Sequence, residues 1–178
     1  MDFMIGLSSI IIYKNMTTIT IQSTSPEVTF KLGQVIGKWL SGREGLIFLT
    51  GDIGAGKTAI SKGIVFGYGY SGRVTSPTFA LINRYDLDNK SIFHMDLYRL
   101  SDIDELYEIG FDEISTGHYP VLVEWPEILN NEGYKPQIII DIMRTADHEK
   151  RLISLTSTDK DFIDQMKAFE KKQSLSSV

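Results

Sequence analysis

The chain contains no cysteine, which excludes disulfides, thiolate metal sites and cysteine nucleophiles. Its histidines number 3, His94, His118 and His148, and their spacing matches no metal-ligand pattern. There is no cationic excess: 18 Lys and Arg stand against 23 Asp and Glu, a net charge of -5. Strong independent binding to nucleic acid is therefore not expected from charge. Long apolar runs are missing as well. Phe3–Tyr13 is apolar but too short to cross a bilayer as a helix. Asp2 precedes it and no small-residue cleavage pattern follows, which argues against a secretion signal. What remains is a globular composition, 42% hydrophobic and 23% charged over 178 residues. That is enough for one domain with a real core, and a cytoplasmic location is expected.

Against those absences, one short stretch concentrates glycine. "IFLTGDIGAGKTAISKGI" (Ile47–Ile64) carries Gly51, Gly54 and Gly56 between an apolar run and a helical pattern. Glycine is costly to order, so the backbone there needs its freedom. The spacing Gly51-x-x-x-x-Gly56-Lys57-Thr58 fits a phosphate-binding loop, in which successive N–H groups cradle phosphate oxygens. The following helix N-terminus adds partial positive charge. Lys57 then reaches the outer phosphates and the Thr58 hydroxyl holds Mg²⁺. The loop candidates for nucleotide contact are Gly51, Asp52, Gly54, Ala55, Gly56, Lys57, Thr58 and Ala59. The alternative is a glycine-rich turn without a ligand, but the strand-like Leu46–Leu49 before it and the helical Ala59–Val65 after it supply the context that the mechanism requires.

Met16 opens "MTTITIQS", whose alternation predicts a first strand over Thr18–Gln22. Residues 1–16 thus read as an extension ahead of the domain. Thr24-Ser25-Pro26-Glu27 is helix-start chemistry, and Val28, Leu32, Val35, Ile36 and Trp39 follow at helical spacing. Beyond the loop helix, Phe79–Tyr85 and Ser91–Tyr98 predict an antiparallel strand pair joined by the polar Asp86–Lys90. "SDIDELYEIGFDEI" has a cap at Ser101 or Asp102 and a face of Ile103, Leu106 and Ile109. Val121–Val123, ending in Glu124, "PQIIIDIM" and "RLISLTS" read as further strands. Asp159–Lys172 carries Phe162, Ile163, Met166 and Phe169 at helical spacing, a terminal amphipathic helix expected to pack on the domain. The division is residues 1–16, a domain over 17–158, and a helix and tail over 159–178. The fold class is α/β, a three-layer domain of the P-loop NTPase kind with a mixed, mainly parallel central sheet.

Ligands in such sheets bind beyond the carboxyl ends of the strands, which puts the loop, Asp96 and Glu124 on one rim. Asp96 ends "IFHMD" and Glu124 ends "VLVE"; either carboxylate can serve Mg²⁺ or orient an attacking water. "VTSPTF" (Val74–Phe79) sets three hydroxyls around Pro77, either a polar turn or a segment that senses the γ-phosphate. "NKSI" (Asn89–Ile92) lacks the later Asp that would read a guanine edge, so ATP is favoured over GTP. His118 reads as solvated. His94 alternates with Asp96 along one strand, which leaves it to line the site or to sit in the core.

Taken together, "GDIGAGKT", "VTSPTFALINRY", "FHMDLYRL", "DELYEIGFDE" and "VLVEWPE" resemble, in order and spacing, the bacterial TsaE (YjeE-type) ATPases over Thr17 to Ser157. The resemblance implies a small P-loop domain with slow intrinsic ATPase activity. It implies action with the TsaD and TsaB proteins on the adenosine beside the anticodon of tRNA, the tRNA being met through the complex and no membrane being involved. By motif, Gly54 to Thr58 would hold the ATP phosphates and Thr58 and Glu124 would bind Mg²⁺. Asp96 would be the acid linked to hydrolysis, Trp125 the aromatic beside the metal acid, and Thr75–Thr78 a switch-like segment, so that Asp96, Lys57 and Thr78 are the catalytic candidates. Ala59 stands where many relatives carry a second hydroxyl. Asp147-His148 stands where the family often has Gly-Arg, so one nucleotide or phosphate contact does not carry over. Two other readings remain at this level: a P-loop kinase acting on a small molecule, for which no arginine-rich lid is evident, and a regulatory module that binds ATP without turnover.

Overall fold

The computed structural model describes residues 15–130 and 132–176. Residues 1–14 of the expected extension, and 177–178 of the tail, lie outside the described residues. The elements run β1 (Thr17–Ser23), α1 (Pro26–Trp39), β2 (Gly45–Thr50), α2 (Lys57–Tyr68), β3 (Ile82–Leu87), β4 (Lys90–Asp96), α3 (Ile103–Glu108), α4 (Phe111–Thr116), β5 (Pro120–Glu124), a 3₁₀ turn (Pro126–Leu129), β6 (Pro136–Arg144), β7 (Arg151–Ser157) and α5 (Lys160–Ser176). They build one 7-stranded sheet in the order β1-β7-β6-β2-β5-β4-β3. The centre, β6-β2-β5-β4, is parallel. Antiparallel β7 and β1 flank one side and β3 the other. No described helix is long and apolar enough to cross a membrane.

Alternation sorts the strand residues onto two faces. Ile47 and Leu49 of β2, Leu122 of β5, Ile92 of β4 and Ile138, Ile140 and Ile142 of β6 join one core under α1, α2 and α5. Leu46, Phe48, Val121, Val123, Phe93 and Met95 point the other way, under α3 and α4. That second layer covers the β2-β5-β4 part of the sheet. Over β1 and β7 the same face carries a hydroxyl ladder instead, Thr18 to Thr156 at 2.8 Å and Thr20 to Ser154 at 3.0 Å. Helix α5 buries Phe162, Ile163, Met166 and Phe169 in the first core.

Helix α1 starts where its capping chemistry places it: the Ser25 hydroxyl accepts from Val28 N–H, and Pro26 occupies the first turn. The contact that sets α2, and with it the loop, is a seam of glycines. A Cβ on Gly37 would lie 2.0 Å from the Ile64 carbonyl oxygen, and one on Gly63 would lie 2.3 Å from that of Phe30. The two backbones touch, so no side chain fits between them.

Two local expectations are corrected. The strand expected over Phe79–Tyr85 begins at Ile82. Leu81 has φ 63°, and its N–H bonds to the Pro77 carbonyl, so Phe79–Leu81 is a turn and Phe79 is exposed. The segment after Asp102 splits at Gly110, which is left-handed with φ 77°, into α3 and α4. Asp102 is the cap of α3, in a reciprocal box with Glu105.

Candidate nucleotide site

The carboxyl ends of β2, β5 and β4 lie side by side because register aligns them: Leu49 pairs with Glu124, and Glu124 with Asp96. The loop from Gly51 to Gly56 leaves β2 at that rim and delivers Lys57 as the first residue of α2. Gly56 has φ 121° with open space on the side a Cβ would take. Glycine is required there for the backbone angle, not for room. At Gly51 both reasons apply: φ is 124°, and a Cβ would meet the Ile142 carbonyl oxygen at 2.3 Å.

A cleft of about 320 Å³ opens above these strand ends. Its lining gathers Gly54, Gly56, Lys57, Thr58, Thr78, Asp96, Glu124 and Trp125, with Ile53 and Tyr98 at the mouth. Lys57, Asp96 and Glu124 are all at least nine-tenths buried. The Lys57 ammonium donates to the carbonyls of Gly51 and Asp52, the latter at 3.0 Å. It sits 3.7 Å from the centre of the Trp125 ring, a cation–π contact in a dry place. Burial pushes the Lys57 ammonium below the usual lysine value, and the charges of Glu124 and Asp96 act in the opposite sense. Trp125 has φ 59° although a proline follows it. That is a strained conformation for a bulky residue before proline, of the sort that clusters at functional sites. Tyr98 packs on it, ring centres 4.9 Å apart.

The two acids are held differently. Asp96 Oδ2 accepts from the Thr78 hydroxyl at 2.6 Å and Oδ1 from the Tyr98 N–H at 3.1 Å. Glu124 Oε1 pairs with His94 Nε2 at 2.8 Å and takes a long bond, 3.4 Å, from the Thr58 hydroxyl. The donor set at this end of the cleft is thus hydroxyl and carboxylate oxygen. Among the described residues no cluster of three His, Cys, Asp or Glu can hold a metal ion alone. This suits Mg²⁺, which takes one or two protein oxygens and completes its shell with phosphate and water; it does not suit zinc.

Of the residues singled out from the sequence, Gly54, Gly56, Lys57, Thr58, Thr78, Asp96, Glu124 and Trp125 line this cleft, and the others lie elsewhere. Asp52 contributes its carbonyl to Lys57. Ala55 and Ala59 face a second hollow, about 250 Å³, on the other side of Gly56 with Pro26, Thr29, His148, Glu149 and Arg151. Thr75, at the start of the switch-like segment, is tied by its carbonyl to Asn83 and Tyr85 of β3. His118 is exposed and bonds to Glu44 at 2.6 Å. His94 does not line the cleft; it is fully buried behind Glu124.

Sequence reasoning missed Arg144 and Arg151. They are register partners where β6 turns into β7, and both grip the loop. Arg144 donates to the Ile53 carbonyl at 2.6 Å and Arg151 to the Ala55 carbonyl at 2.8 Å. Their signal was a cation at each apolar strand's hairpin end. It pointed to no partner until the hairpin folded over the loop.

Comparison with known proteins matches the family profile described as "Threonylcarbamoyl adenosine biosynthesis protein TsaE" to residues 23–153. A protein of Rickettsia conorii called "tRNA threonylcarbamoyladenosine biosynthesis protein TsaE" is 36% identical over 77% of this chain and 77% of its own. Its namesake in Haemophilus influenzae is 34% identical, over 75% and 85% of the two chains. The one in Bacillus subtilis is 32% identical, over 74% and 81%. Among solved structures, the crystal structure of YdiB from Bacillus subtilis superposes with TM-score 0.69 at 26% identity, covering 89% of this chain and 97% of that one.

Proposed function

The chain belongs to the TsaE family, and from that premise we propose that it is a Mg²⁺-dependent ATPase of low intrinsic activity, serving threonylcarbamoyl modification of the adenosine beside the tRNA anticodon together with TsaD and TsaB. The observation that carries this reading is the convergence of Lys57, Thr58, Thr78, Asp96, Glu124 and Trp125 on one cleft at the mouth of the phosphate loop. The loop N–H groups from Gly54 to Thr58 and the Lys57 ammonium hold the ATP phosphates. Thr58 and Glu124 hold the metal ion. Bound by Thr58 and Glu124, Mg²⁺ would supply positive charge to offset the negative charge of the phosphate groups. Asp96 orients the attacking water, and the Thr78 hydroxyl fixes the angle of Asp96. Trp125 lies over Lys57 and keeps water from it, which strengthens the pull of the ammonium on phosphate. With a net charge of -5, the chain meets tRNA through its partners, in the cytoplasm. Residues 17–158 form the domain that carries this function, with helix α5 (Lys160–Ser176) packed against it.

The test is multiple-turnover threonylcarbamoylation of tRNA with matched TsaD and TsaB, alongside ATP turnover. Product should accumulate only when this chain is present. Lys57→Ala removes a charge-assisted contact of about 1.5–3 kcal/mol, so ATP affinity or turnover should fall roughly ten- to a hundred-fold. Equal product without the chain defeats the role in modification. A phosphorylated small molecule in place of free phosphate points to a kinase, and tight ATP binding with no turnover even beside the partners points to a regulatory module.

A further inference from the structure

We propose that His94 is a positioning residue for Glu124: its Nε2–H pins one carboxylate oxygen and so fixes the orientation of the whole carboxylate at the metal position beside Thr58. The inference rests on the reading of Glu124 as a Mg²⁺ ligand. Packing alone does not explain an imidazole here. His94 is fully buried in the middle of β4, on the face it shares with Ile92 and Asp96, where an apolar side chain would fill the same space. Its Nδ1 is buried with no hydrogen-bond partner, an arrangement that costs free energy and calls for a reason.

The reason lies on the other side of the ring. Nε2 is 2.8 Å from Glu124 Oε1. A carboxylate only accepts, so a proton sits on Nε2 and the ring donates to Glu124. The long bond from Thr58 reaches the same oxygen at 3.4 Å, too far to hold a three-torsion side chain by itself. Oε2 takes no hydrogen bond from the described residues, and Glu124 lines the cleft. Oε1 is thus held from inside the sheet at a point beside the Thr58 hydroxyl, and the carboxylate it fixes is presented to the cleft. Partners that orient a metal ligand in this way are typically worth roughly 10–100-fold in metal affinity or activity.

The experiment titrates Mg²⁺ against binding of a fluorescent ADP analogue, using the full chain and its His94→Leu and His94→Gln variants. The Gln amide reaches the place of Nε2 and can donate to Oε1; Leu cannot. His94→Leu should need about 10–100-fold more Mg²⁺ for the same affinity, with Mg²⁺-free binding unchanged, and His94→Gln should restore the wild-type curve to within a few-fold. Thermal unfolding without nucleotide checks that each variant is folded. If His94→Leu does not fold, His94→Asn replaces it, because its shorter amide sits at the place of Nδ1 and cannot reach the carboxylate. A Leu or Asn curve that overlays wild type overturns the proposal, as does a folded Gln variant that is as impaired as Leu. Wild-type binding with no Mg²⁺ dependence at all overturns the metal reading of Glu124 itself, and the positioning role falls with it.

Discussion

Asp96 and Glu124 are register partners on adjacent strands, 4% and 3% exposed, yet the two walls they belong to are built from different material. Glu124 ends β5, every residue of which is buried, and its partner His94 is itself interior sheet. Asp96 depends for one of its two bonds on Thr78, in an irregular segment that ends with Phe79 at 91% exposed and the left-handed Leu81. The β5 wall is fixed by the core. The Thr78 wall is a turn, joined to Asp96 by the Thr78 hydroxyl and to β3 through the Thr75 carbonyl. Under the proposed function, a site that holds nucleotide and responds to its hydrolysis would use one wall of each kind, and chain order alone does not say which acid gets which.

The sharpest way to break the comparison is to disable each acid in turn. Asp96→Asn should leave nucleotide binding within a few-fold and cut turnover by roughly a hundred-fold or more, the ordinary scale for losing a group that handles the attacking water's proton. Glu124→Ala should instead raise the Mg²⁺ concentration needed for binding. Overlapping Mg²⁺ titrations of the two variants would show that the walls share one task.

A smaller effect is expected from the loop wall's fastening. Thr78→Ala removes a hydrogen bond to a charged group, about 1.5–3 kcal/mol, so turnover should fall at least about tenfold. Thr78→Ser, which keeps the hydroxyl, should recover most of it. If Ser is no better than Ala, the Thr78 methyl rather than its bond to Asp96 carries the effect. On the fixed side, Gly63→Ala should push α2 off α1 and lower stability by about 1–3 kcal/mol, read by denaturant unfolding, because the added carbon meets backbone rather than a side chain that can turn away. The smallest change concerns the outermost residue of the loop wall. Phe79→Ala should leave unfolding within about 0.5 kcal/mol of wild type, since the ring is almost wholly in solvent. A larger loss would mean that this wall is packed after all.

Much of the fold was legible because it rests on local rules. Period-2 alternation marked the strands, helical spacing marked α1 and α5, and Ser25-Pro26 marked the start of α1. The boundaries that failed are those where a tertiary bond outweighs propensity. Phe79–Leu81 has strand composition, but Thr78 is drawn to Asp96 and Leu81 turns left-handed to follow it. Gly110 divides α3 from α4 because Phe111 and Leu106 must both reach the second core. Of the candidate site, the loop and both acids were legible, since strand-end position alone puts them on one rim.

The amino-acid sequence by itself determined the phosphate loop, since only glycine tolerates the backbone angle at Gly56, and it determined which strand-end carboxylates share the rim. Only the tertiary structure decided how those groups are held. His94 meets Glu124 across two strands, Arg144 and Arg151 reach the loop from a hairpin about ninety residues later, and α1 seats α2 through a seam of glycines. A periodic pattern reports which face a residue takes, because that depends on neighbours along the chain. It cannot report what that residue will touch, because hydrogen-bond partners are chosen by distance in space after the sheet order is set.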